Sequence, residues 1–221
     1  MGAEKRIEEW IRSLIAEKRP VELVSFYEEL PVRAKVKPLS LEDKFIQWES
    51  HPKLKLAVEN FGRVYTYFND PVYNQKRILT SDVTYYSDSL IETTMFKPFE
   101  EPRFSREFPR VTVSSKLPVK VAVIDGAEKQ EYQVRDVSEN GVGFLAPKGT
   151  FSPGDKLKLE VFLPYGSFSS EAEVRSIEPV EDKEKVGVRF VDLQQRFRDL
   201  LHKYVMTRQR EILNTIKMLA D

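Results

Sequence analysis

The apolar positions change period along the chain, and those changes mark out its elements. Ile7, Trp10, Ile11, Leu14 and Ile15 recur at three- and four-residue steps, which predicts a helix over residues 4–19. Glu4, Glu8 and Glu9 lie early in it and Lys18 and Arg19 late, as the helix dipole favours, and Pro20 stops it. The period then falls to two. Val32, Ala34 and Val36 alternate with Arg33, Lys35 and Lys37, as in a half-buried strand, and residues 21–27 are the expected hairpin partner across a turn at 28–31. Further strands are expected at 44–48, 63–68, 77–86 and 89–96.

Residues 97–110 carry Pro98, Pro102 and Pro109 and no periodicity, which predicts an extended linker. A second set of strands is expected at 111–114, 119–124, 132–135, 142–146, 156–163, 171–177 and 186–190. Asp125-Gly126, Asn140-Gly141 and Ser152-Pro153-Gly154-Asp155 separate them, and such short, evenly spaced strands suggest a closed barrel. Phe197, Leu200, Leu201, Tyr204, Val205, Ile212, Ile216 and Leu219 form a helical stripe across residues 192–220. That helix would run roughly 40 Å, so its second half is expected to bury apolar surface against the N-terminal domain or in a homodimer.

The fold class is therefore mainly β with flanking helices: two small antiparallel β-barrel domains, an N-terminal helix and a long C-terminal helix. The expected domains are residues 1–96, a linker at 97–110, and residues 111–221.

Composition narrows the function classes. The 221 residues are 41% hydrophobic and 32% charged, enough for packed cores. Lys plus Arg equals Asp plus Glu at 35 each, which argues against bulk capture of a nucleic acid polymer. There is no cysteine, and the two histidines, His51 and His202, have no metal-ligand partners at useful spacing, so neither a metal site nor a cofactor is expected. No apolar run reaches the ~20 residues of a membrane span, and the expected location is cytoplasmic. No catalytic residues are expected either, because the chain has neither a Gly-rich phosphate loop nor a His/Cys-centred constellation. The aromatic group Tyr65, Tyr67, Phe68, Tyr73, Tyr85 and Tyr86 could serve as a stacking platform, but aromatics in strands are expected to pack.

Two short segments carry the candidate chemistry. Arg106-Glu107-Phe108-Pro109-Arg110 sets two guanidiniums four residues apart on an extended arm, with Arg103 upstream. A guanidinium fork matches a phosphate or the O6/N7 edge of guanine, and can also stack on a purine. Asp136-Val137-Ser138-Glu139-Asn140-Gly141 places a carboxylate and a hydroxyl on one face of a strand end, followed by a glycine expected to form a tight turn and leave room for a ligand. A carboxylate accepts from guanine N1–H and N2–H₂. Together the segments suit a guanine nucleotide with exposed phosphates. Arg103 and Arg135 are additional candidates on chemistry alone.

These residues also carry a resemblance. The two segments, with Arg135-Asp136-Val137-Ser138, the late strand Val186-Gly187-Val188-Arg189-Phe190-Val191-Asp192 and the helical Tyr204-Val205-Met206-Thr207-Arg208-Gln209-Arg210-Glu211, resemble a PilZ domain over residues 101–220. The resemblance implies a six-stranded barrel that binds the bacterial second messenger cyclic di-GMP. By position it implies that Arg106 and Arg110 hold guanine and phosphate while Asp136, Ser138 and Gly141 complete the site. Residues 1–96 resemble the split-barrel domain of flagellar-brake type PilZ proteins, by strand pattern and placement.

The function this implies is a receptor regulating a motility, pilus or biofilm-related partner, such as the flagellar motor, pilus or polysaccharide machinery. Like charges on Arg103, Arg106 and Arg110 are expected to repel and leave the arm mobile until a dianion orders it and reorients the N-terminal domain. Two competing readings are a ligand-free interaction module and, less favoured, a flavin-binding enzyme using the N-terminal barrel.

Overall fold

In the computed structural model, which describes residues 2–220, the chain divides into two units: Met1–Arg106 with Leu213–Asp221, and Glu107–Ile212. The first opens with helix α1 (Ala3–Ala16). Strands β1 (Val21–Tyr27), β2 (Leu30–Val36), β3 (Pro38–Glu42) and β4 (Phe45–Glu49) follow, then helix α2 (Pro52–Phe61). After it come β5 (Arg63–Asp70), β6 (Gln75–Tyr86), β7 (Leu90–Thr94) and the short β8 (Lys97–Pro98). The sheet runs β2-β1-β5-β6-β7-β4-β3, with β8 on β6, and its ends do not pair, so it forms a half-barrel. Ile7, Ile11 and Leu14 of α1 fill it, against Leu23, Trp48, Phe68 and Phe96.

Three local features depart from the expectations. The β1–β2 turn is two residues, Glu28 and Glu29, with φ of 46° and 71°, because a turn with two left-handed residues matches strand twist. Pro31 thus lies inside β2, where its missing N–H is tolerated because β2 is an edge strand. Residues 52–61, not foreseen as a helix, are one: His51 Nδ1 accepts from the Lys53 N–H, Pro52 stands in the first turn and Gly62 closes it at φ 72°. Its buried face is Leu54, Ala57 and Val58. Strand β3 was likewise not foreseen. Of the aromatic group, Tyr65 and Phe68 are core residues, whereas Tyr73, Tyr85 and Tyr86 are exposed.

A buried ion pair ties α1 to β5. Arg6 Nη2 donates to Asp70 Oδ2 at 2.9 Å, and the Val72 N–H reaches Asp70 Oδ1 at 3.1 Å. Burial alone pushes the Asp70 carboxyl up, but these hydrogen bonds and the charges of Arg6 and Arg77 outweigh it and hold the group below its ordinary 3.8. Since the folded value is depressed, the stability this group contributes is present above pH 3.8 and lost as pH falls through the folded value. Denaturant melts of the wild type and Asp70→Asn should therefore differ at neutral pH and converge on acidification. A gap that persists unchanged to pH ~2 would contradict the linkage.

The second unit contains β9 (Arg110–Thr112), β10 (Lys120–Asp125), β11 (Glu128–Ser138), β12 (Gly141–Pro147), β13 (Lys156–Leu163), β14 (Gly166–Val180) and β15 (Lys183–Val191). The sequence β10-β13-β14-β15-β12-β11 returns to β10 through the β10–β11 pairing, so six antiparallel strands close into a barrel. Val121, Val137, Phe144, Leu159, Val161 and Val186 are buried in this unit. β9 stands outside the ring on β11, pairing with its last three residues. Helix α3 (Gln195–Ala220) buries Leu201, Tyr204 and Val205, while Leu213, Met218 and Leu219 are exposed. No helix among the described residues is long and apolar enough to cross a membrane.

Candidate functional site

The geometry of the Asp136 segment follows from one extra residue. Against β12, Val134 pairs with Phe144 and Asp136 with Gly143, so Arg135 is the additional residue of a β-bulge. The bulge resets the alternation: Val134 and Val137 are both buried with the apolar set, and Asp136 and Ser138 turn to the other face. Ser138 then has Arg110 of β9 as its partner on one side and Gly141 of β12 on the other. Arg189 of β15 lies opposite Gly141 and extends the same row. Strand pairing thus brings together Arg110 and the Asp-Ser-Gly segment, which are about 26 residues apart in the chain.

Asp136 is nearly buried, at 4% exposure, and compensated by two cations. Lys185 Nζ lies 3.1 Å from Oδ2, and Arg110 Nη1 lies 3.8 Å from Oδ1, beyond hydrogen-bond reach. Arg110 is partly exposed at 31% of its side chain, so its donor fork is available. The carboxylate rests over Gly143, where an added Cβ would come within 2.7 Å of Oδ2. Ser138 Oγ donates to the Gly141 carbonyl at 3.3 Å.

Helix α3 holds β9 and the motif turn. Arg208 Nε donates to the Thr112 carbonyl at 3.0 Å, and Tyr204 donates to the Leu117 carbonyl at 2.9 Å. Burial pushes the Tyr204 hydroxyl up to about 12, so it remains a donor at neutral pH. His202 Nδ1 shares a hydrogen bond of 2.7 Å with Glu139.

The first half of the arginine motif is fastened within the other unit. Arg106 Nη1 donates to Glu29 Oε2 at 2.7 Å, and Arg103 Nε lies 3.5 Å from the same oxygen. Arg103 also stands 4.5 Å from the Phe61 ring centre and 5.0 Å from that of Phe26. Tyr65 donates to Glu101 at 2.6 Å, and Phe104 packs against Phe26, Tyr65 and Tyr67. The expectation of an arm whose cations repel without partners is therefore corrected: Glu29 of the β1–β2 turn pairs with Arg106 and lies beside Arg103, and Glu101 stands 3.7 Å from Arg103 as a second carboxylate. Much of the stretch expected to be an extended linker is ordered, as β8 and a 3-10 turn at Pro102–Ser105.

Residues 104–207 match the sequence model of the PilZ domain family. The chain carries a PilZ domain. An uncharacterized protein of Aquifex aeolicus is 29% identical over 112 residues, 51% of this chain and 53% of its own length, so the chain spans about half of that curated relative. Among solved structures, K. pneumonia MrkH in complex with c-di-GMP is similar at a TM-score of 0.52 and 12% identity, covering 96% of this chain and 97% of that one. YcgR of Escherichia coli in complex with c-di-GMP gives a TM-score of 0.48 at 15% identity, over 98% and 95%. The fold is thus shared with MrkH along nearly its whole length.

Within the PilZ domain, the reason for Gly141 differs from the expected one. The two-residue turn is Glu139-Asn140, and Gly141 is the first residue of β12, without a left-handed φ. A Cβ there would lie 2.0 Å from the Val188 carbonyl oxygen, so the glycine is required by the close approach of β15. Sequence reasoning missed Lys185, Gly143 and Glu29. Gly143 had a visible signal, standing two residues after Gly141 in a strand pattern. Lys185 and Glu29 had none, because each reaches its partner from a segment far away in the chain. Arg135 is exposed at the bulge, and its backbone carbonyl accepts from Val113 at 3.0 Å. No cluster of His, Cys, Asp and Glu among the described residues could hold a metal ion.

Proposed function

We propose that this chain is a cytoplasmic, non-catalytic cyclic di-GMP receptor. Arg106, Arg110, Asp136, Ser138 and Gly141 form the binding site, with Arg103 and Arg135 as further contacts. Binding changes the arrangement of domains 1–96 and 111–221 through residues 97–110, and so changes the surface offered to a motility, pilus or biofilm-related partner. A second copy would pack on the exposed Leu213, Met218 and Leu219 of α3.

The register carries this reading. Arg110, Ser138 and Gly141 are adjacent on three paired strands, with the Asp136 carboxylate beside Arg110. Donors for a phosphate or guanine O6/N7 therefore adjoin an acceptor suited to guanine N–H groups. The fold shared with MrkH, solved with c-di-GMP, is consistent with it. Several charge-assisted hydrogen bonds of ~1.5–3 kcal/mol each, less the ordering cost, correspond to micromolar affinity or better. Titration calorimetry with cyclic di-GMP is the test. Saturable heat in that range is expected, and neither heat nor a thermal shift at ~100 µM ligand would remove the proposal.

A further inference from the structure

The geometry points to Glu29 as a built-in competitor for the ligand. Its carboxylate occupies Arg106 in place of a phosphate and thereby sets the affinity of the site proposed above. The inference rests on that reading and adds a regulatory residue from outside the PilZ domain.

Three observations carry it. Glu29 Oε2 is the hydrogen-bond acceptor for Arg106 at 2.7 Å, with Arg103 at 3.5 Å, so one carboxylate oxygen draws together the first motif arginine and its upstream neighbour. The contact is shielded, with Glu29 at 16% and Arg106 at 22% side-chain exposure, so water screens it less than a surface pair. Glu29 also sits at φ 71° beside Glu28 at φ 46°, in a two-residue hairpin turn that strongly favours Asn-Gly. That hairpin turn holds the carboxylate where both Arg103 and Arg106 reach it.

Carboxylate and phosphate oxygens engage the same guanidinium fork, so they exclude one another at the donor they share. A phosphodiester of the ligand gains the Nη1 donor of Arg106 only by displacing Glu29, and the free energy of that hydrogen-bonded pair is subtracted from that of binding. Displacement would also remove the turn's hydrogen bond to Arg106, which couples ligand occupancy to the β1–β2 hairpin.

The test is calorimetric titration of cyclic di-GMP into the full chain as wild type, Glu29→Gln and Glu28→Gln. Glu29→Gln keeps the size of the side chain and removes its charge. Binding about tenfold tighter than wild type is expected. Glu28→Gln removes the same charge from the same turn and should leave the affinity within about twofold of wild type. If wild type binds and Glu29→Gln binds equally or more weakly, the clamp is wrong and the receptor reading stands. Equal tightening by both variants likewise overturns it, assigning the effect to net charge. If none of the three binds, the receptor reading falls and the clamp falls with it.

Discussion

Replacing Arg110 by alanine is expected to weaken cyclic di-GMP binding at least about a hundredfold while moving the thermal midpoint by only a few degrees. The binding loss follows from the donor fork. A bidentate guanidinium contact to phosphate or guanine comprises two charge-assisted hydrogen bonds of ~1.5–3 kcal/mol each, and alanine replaces neither. The fold should survive because the Arg110 side chain makes no short bond among the described residues, while its backbone pairing in β9 is kept by alanine. Its distance to Asp136 is 3.8 Å, whereas Lys185 holds the same carboxylate at 3.1 Å and would continue to neutralise it. Titration calorimetry gives the affinity and a thermal melt gives the stability. A variant that binds within about threefold of wild type would place the ligand elsewhere on the chain.

Gly141→Ala should produce the largest loss of stability among single-methyl additions in the PilZ domain. The new Cβ would meet the Val188 carbonyl oxygen at 2.0 Å, and that obstacle is backbone in a paired strand. A closed barrel cannot move β15 away from β12 without opening its ladder. The expected cost is at least about 3 kcal/mol, a fall on the order of 10 °C or more for a unit of this size. Gly126→Ala is the comparison: Gly126 has φ 59° but open space around it, so only the left-handed penalty of about 1–2 kcal/mol applies. A midpoint for Gly141→Ala no lower than that of Gly126→Ala would show that the strands part easily. Binding lost in Gly141→Ala would reflect the damaged ladder, so Arg110→Ala is the cleaner probe of the site.

The elements most legible in the sequence were those whose periodicity extends over several residues. The apolar face of α1, the alternation of β2 and the stripe of α3 each write burial directly into residue order. All seven strands of the second unit were likewise anticipated, because turn residues punctuate them at short intervals. Helix α2 escaped because Pro52, which occupies its first turn, also reads as a loop signal. β3 escaped because its five residues open on Pro38, a breaker signal, although Leu39 and Leu41 alternate with Ser40 and Glu42.

The candidate site divides along the same line. The sequence by itself determined which functional groups the chain possesses: the two spaced arginines, the carboxylate, the hydroxyl and the glycine. These lie within local segments, and local order is what a sequence displays. Only the tertiary structure decided their relations. The bulge at Arg135 turned Asp136 away from the core side, the pairing of β9 with β11 set Arg110 beside Ser138, and β15 brought Lys185 to Asp136 and the Val188 carbonyl to Gly141. The turn between β1 and β2 delivered Glu29 to Arg106 across 77 residues of chain. Strand pairing between distant segments depends on packing and register, which no local pattern encodes.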